Sequence, residues 1–210
     1  MRSTWRLGKW RDIPIVLHWT VFLGLPWFYY QTRSVAATAI SFAAFFFLLI
    51  AHELGHALVA RWRNVPVGHI QLFFIHGSCT HDEPYHEEDD VLIAWGGVAA
   101  QLVVLVVAVA ASLLVTAALP IAHQITGPLF HVLIQTNLLI MVFSLIPVAP
   151  LDGAKAWRAL PMLKDWAGQT SWTVSLRKLF TARERTRSQE LEARSERIAA
   201  DIIQRLKKGK

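Results

Sequence analysis

From Val91 to Leu151 the chain carries no Asp, Glu, Lys or Arg. At roughly 20 apolar residues per bilayer crossing, that run has room for two membrane helices. With 54% hydrophobic and only 17% charged residues over 210 positions, a single small water-soluble domain is hard to reconcile with the composition. The net charge of +6 therefore lies outside the apolar segments. Because the Lys and Arg residues flank those segments instead of forming one basic patch, they point to membrane orientation and away from nucleic acid. Cys79 is the only cysteine, which excludes an intrachain disulfide and a Cys-rich metal site.

Four spans are expected. The first, near Ile13 to Tyr30, follows Arg2, Arg6, Lys9 and Arg11 and ends in Trp27, Tyr29 and Tyr30, rings suited to the lipid–water interface. It reads as a retained helix, since no small-x-small cleavage site follows it. The second runs from Val35 to about Val59, the third from about Val91 to Leu119, and the fourth from about Leu129 to Ile146, where "PVAPLDG" breaks the helix. Between the second and third, "VPVGHIQLFFIHG" has the alternation of a short hairpin or re-entrant segment at 65 to 80, and "HDEPYHEEDD" is an acidic loop. His76, His81 and His86 in this region fit either a solvated lid or a metal-binding loop. His18 reads as a packing residue, and His123 and His131 have no expected role.

Lys and Arg number four before the first span, one in the 31 to 34 link, two from 61 to 90, none from 119 to 128 and fourteen after residue 153. That distribution fits both termini in the cytoplasm, in a cell membrane. A membrane-embedded domain over 1–156 and a cytoplasmic segment over 157–210 follow from it. In the latter, Trp157, Trp166, Trp172 and Phe180 suit an interfacial stretch, and Leu191, Ile198, Ile202 and Leu206 stripe a charged helix. That helix either packs on its own protein or mediates self-association.

Chemistry concentrates in "AHELGHA". His52 and His56 are four apart and share one helix face, so both can bind one metal ion, with Glu53 placed to take a proton from metal-bound water. Zinc suits such ligands, and the implied reaction is amide hydrolysis. A carboxylate in a membrane helix costs about 2.5–3.5 kcal/mol on insertion scales, which argues for a task. The competing reading is that the three side chains merely hydrogen-bond helices together. Asp152, at the end of the uncharged run, is the candidate third ligand; taken alone it would serve as an N-cap.

"AHELGHA" on one membrane helix, "GGVAAQ" opening another and "SLIPVAPLDG" ending a third resemble the site-2 protease family of intramembrane zinc metalloproteases, over most of residues 10 to 160. The resemblance implies an all-α polytopic fold of about four helices with a small re-entrant hairpin, in a compact form without PDZ or CBS domain. It implies one Zn2+ held by His52, His56 and Asp152, with Glu53 as general base. Substrates would be transmembrane segments of single-pass proteins or remnant signal peptides, added as a strand to the hairpin edge near Ile70 and Leu72. The family commonly has Gly-Pro-x-x-Asn where this chain has Gly97, Val98 and Gln101, and Asn at Ser144; Gln101 and Ser144 are the corresponding candidate substrate-binding residues. The alternative is a non-proteolytic membrane metal-binding or transport protein, which would spread its acidic residues across the bilayer.

Overall fold

The computed structural model describes residues 4–74, 76–118 and 126–163. The chain divides into two compact units, Met1–Ala159 and Leu160–Lys210. The expected striped helix at 181 to 208, with its self-association, lies outside the described residues, as does most of the expected interfacial segment.

Where a first membrane helix is expected, the chain begins with strands. β1 (Thr4–Trp10) and β2 (Ile13–His18) pair antiparallel. Arg11 and Asp12 turn the hairpin, both at positive φ (44° and 73°), as a two-residue hairpin turn requires. Ile13 and Leu17 are buried, an alternation of period two. Pro14 fits here because the parallel ladder with the next strand begins one residue later, so its missing N–H is not needed there. A 3-10 helix (Trp19–Leu23) and α1 (Gly24–Thr32) follow, rising together by about 24 Å. The expected span from Ile13 to Tyr30 is thus corrected: a strand and two short helices divide it.

The chain returns through α2 (Val35–Trp62), capped by the Ser34 hydroxyl, which accepts from the Ala37 N–H at 3.4 Å. β3 (Val67–Leu72) then lies parallel to β2, Ile70 opposite Ile15 and Leu72 opposite Leu17, and β4 (Gly77–His81) returns antiparallel beside β3. The result is a four-stranded sheet in the order β1-β2-β3-β4. A hairpin alone was expected, so the all-α description becomes a mostly helical fold with a small mixed sheet. Ile13, Leu17, Ile70 and Leu72 on the sheet share a core with Leu48 and Leu49 of α2.

α3 (Glu87–Ala118) and α4 (Thr126–Ser144) complete the set of three described helices long and apolar enough to cross a membrane, with α2. Within α4, His131–Thr136 is π-helical. Only 17% of the most apolar window of α3 is buried in the protein. Its exposed Val103, Val106, Leu113 and Leu114 suit acyl chains far better than water. α2 and α3 meet at Gly55 and Gly96, so closely that a Cβ on Gly55 would lie 2.8 Å from that of Ala100 and run into the Gly96 carbonyl. Small residues permit that backbone approach. The short helix α5 (Gly153–Ala156) follows α4.

Candidate active site

The uninterrupted helical register of α2 stacks His52 and His56 one turn apart, their rings edge to face with centroids 4.6 Å apart. α3 supplies a partner for the outer nitrogen of each. His56 Nδ1 donates to the Ile93 carbonyl at 2.7 Å, and His52 Nδ1 meets Gln101 Oε1 at 3.0 Å. An oxygen partner only accepts, so both Nδ1 atoms carry the hydrogen and both Nε2 atoms keep a lone pair. Those Nε2 atoms lie 3.0 Å apart and converge on Asp152 Oδ2, at 3.0 Å from His52 and 3.3 Å from His56. With both Nε2 atoms deprotonated, the two rings and the carboxylate offer three donor atoms that one cation can share. The donor set suits a divalent metal: bonds of about 2.0–2.1 Å in a tetrahedron separate ligands by about 3.3–3.4 Å, within a few tenths of what is seen here. His52, Glu53 and His56 also bring their donor atoms within 4.8 Å of one another.

Asp152 arrives by a looped path. It occupies the N-cap position of α5 but makes no capping bond, its carboxylate facing the histidines instead. The turn depends on Gly153, whose Cβ would strike the Leu145 and Ile146 carbonyls. Trp157 Nε1 donates to the Leu145 carbonyl at 2.6 Å and Trp95 Nε1 to the Ala156 carbonyl at 3.1 Å, while Lys155 Nζ pairs with Asp90 at 2.8 Å. The supporting roles of Asp90 and Trp95 have no sequence motif; they follow only from α3 passing beside the loop.

Glu53 is 3% exposed and lies against Gly77 at the start of β4, where any Cβ would collide with its carboxylate. Burial, and then the nearby Glu53 and Asp152 charges, push the Cys79 thiol up to about 12. Gly97 on α3 backs the histidines: a Cβ there would lie 2.5 Å from His56 Nε2 and 2.7 Å from His52 Cε1. A cavity of about 880 Å³ opens from Glu53 and Asp152, lined by Phe28, Phe45, Phe74, Phe143 and Ser144 among others.

Of the candidate substrate-binding residues, Ser144 lines this cavity. Gln101 does not reach it: with no exposed surface it stands behind His52, and the expectation is corrected to one of holding that ring. Ile70 and Leu72 are also corrected. Both side chains are buried in the core, and β3 is bonded to β2 on one side and β4 on the other, so it offers no free edge. Period-two alternation identified the strand but could not say that the N-terminus would cover it. The edge nearest Glu53 belongs to β4.

No protein-family model matches the chain. It is similar to zinc metalloprotease MJ0392 of Methanocaldococcus jannaschii, 34% identical over 171 residues, covering 76% of this chain and 46% of that protein. It is also similar to the Rip3 protein of Mycobacterium tuberculosis, 29% identical over 178 residues, covering 76% of this chain and 44% of that one. The chain thus spans about half the length of the curated relatives it matches. Among solved structures it resembles a site-2 protease from Methanocaldococcus jannaschii, with a TM-score of 0.59 at 29% identity, covering 77% of this chain and 73% of that one.

Proposed function

We propose that the chain is a member of the site-2 protease family and a zinc-dependent intramembrane endopeptidase, cutting transmembrane segments of single-pass proteins or remnant signal peptides; its likeness to zinc metalloprotease MJ0392 and to a solved site-2 protease supports this reading. The observation that carries this reading is the convergence of His52 Nε2, His56 Nε2 and Asp152 Oδ2 within 3.3 Å, with Glu53 beside them at the mouth of an apolar cavity.

His52, His56 and Asp152 would hold one zinc ion, which when bound acidifies a water and polarises the scissile carbonyl. Glu53 would take the proton from the attacking water and return it to the leaving amide nitrogen. Gly77 lets it sit against β4, so the base and the strand edge share one wall. A helical substrate must unwind to expose its amide, and the free edge of β4 accepts the extended segment as an added strand. The aromatic side chains of the cavity receive its apolar residues, and Ser144 supports it from the opposite side. The asymmetry of Lys and Arg supports both termini facing the cytoplasm, with α1 and its preceding 3-10 helix completing a fourth passage of the bilayer.

The test is cleavage of single-pass substrates by the protein reconstituted in vesicles, beside Glu53→Gln and chelator treatment. The expected result is loss of cleavage in both, with zinc content unchanged in Glu53→Gln. Undiminished cleavage by zinc-loaded Glu53→Gln would remove Glu53 from the role of base.

A further inference from the structure

We infer that Asn137 is a positioning residue that selects the metal-binding tautomer of His52 through Gln101. The inference rests on the preceding one only in taking the histidine pair as a metal site.

Gln101 and Asn137 are both completely buried. Asn137 Nδ2 donates to the Gln101 carbonyl at 2.9 Å, and Gln101 Oε1 accepts from His52 Nδ1. One polar atom on each amide is left buried without a partner: Gln101 Nε2 and Asn137 Oδ1. Each, left so, carries the desolvation penalty of a buried polar group without a bond. They are complementary, a donor and an acceptor on residues already bonded through one carbonyl. They make no direct bond to each other; one buried water bridging them would satisfy both.

That link has a chemical consequence at His52 and none at His56. The Nδ1 of His56 faces a backbone carbonyl, which can only accept, so its tautomer is settled by the main chain. His52 faces a side-chain amide with two ends. Were Gln101 turned over, its Nε2 would donate to His52 Nδ1 and the ring hydrogen would move to Nε2, the atom aimed at His56 and Asp152. An acceptor at Asn137 Oδ1 is met only when the Gln101 amide nitrogen faces it, which leaves Oε1 for His52. Asn137 directly follows the π-helical stretch of α4, a widened turn of the kind often found at functional sites.

The experiment measures zinc affinity by chelator competition on the full chain in detergent, together with the visible spectrum of the Co2+-substituted protein. Asn137→Leu is expected to weaken zinc by about 10–100-fold and to change the cobalt spectrum as Gln101→Leu does. In a Gln101→Glu background both ends of the side chain accept, so orientation no longer matters and Asn137→Leu should change affinity by less than about threefold. An equal loss in both backgrounds would mean a merely structural role and overturn the proposal; so would wild-type affinity in Asn137→Leu. If Asn137→Leu does not fold, Asn137→Ser decides by the same comparison. A wild-type chain that binds zinc but cuts nothing refutes the protease reading and leaves this one standing; one that binds no zinc overturns both.

Discussion

Gly97→Ala adds one methyl group and should abolish the metal site. The new Cβ would stand 2.5 Å from His56 Nε2 and 2.7 Å from His52 Cε1, whereas carbon contacts ordinarily settle at about 3.5 Å. One or both rings would have to withdraw by about 0.8–1 Å, against a tolerance of about 0.2 Å for metal–ligand distances. Neither ring is free to withdraw in place. Their Nδ1 atoms are held at 2.7 Å by Ile93 and 3.0 Å by Gln101, and α3 cannot slide closer past the Gly55–Gly96 contact. Zinc affinity should fall by at least about 10–100-fold, the range seen when ligand supports are lost, with a packing cost of about 1–3 kcal/mol. Metal content after dialysis and the cleavage assay both read this out. Gly8→Ala, with nothing near its Cβ, is the control. Full zinc occupancy and normal cleavage in Gly97→Ala would refute the placement of the histidine pair against α3.

Two further outcomes are expected. Gly55→Ala should force α2 and α3 apart and lower thermal stability in detergent by about 1–3 kcal/mol, since its Cβ meets the Gly96 backbone and Ala100; an unchanged melting temperature would contradict the close contact. In the metal-free protein Cys79, pushed from 9.0 to about 12, stays protonated far above the usual range. Its alkylation at pH 8 should therefore be about a thousandfold slower than that of a free cysteine, and a rate within tenfold of the free thiol would show that the β4 edge is open to water.

The parts of this site that local pattern can express were legible. His52, Glu53 and His56 lie on one helix because four-residue spacing does that in any helix, and Asp152 stood out as the first charge after a long apolar run. What escaped depends on partners remote in the chain. The segment from Ile13 to His18 looks like the start of a membrane helix until β3, more than fifty residues later, offers it a parallel ladder; the turn at Arg11 and Asp12 lacks the Gly or Asn that would have announced a hairpin. Gln101 could be placed on α3 but not on a face, so a residue behind a ligand was taken for one in front of it. The same blindness to face hid the burial of Ile70 and Leu72.

The parallel ladder between β2 and β3 joins the stretch before α2 to the stretch after it. During synthesis, then, the N-terminal hairpin must wait: its partner strand does not exist until α2 has been made and has turned back along α1. Asp152 emerges later still, after α3 and α4. A partly made chain holds both histidines and the glutamate yet lacks the carboxylate that completes them and the strand that walls them in. On the proposed reading, the hydrolytic site is complete only once Asp152 has joined His52 and His56, after α3 and α4 have been made.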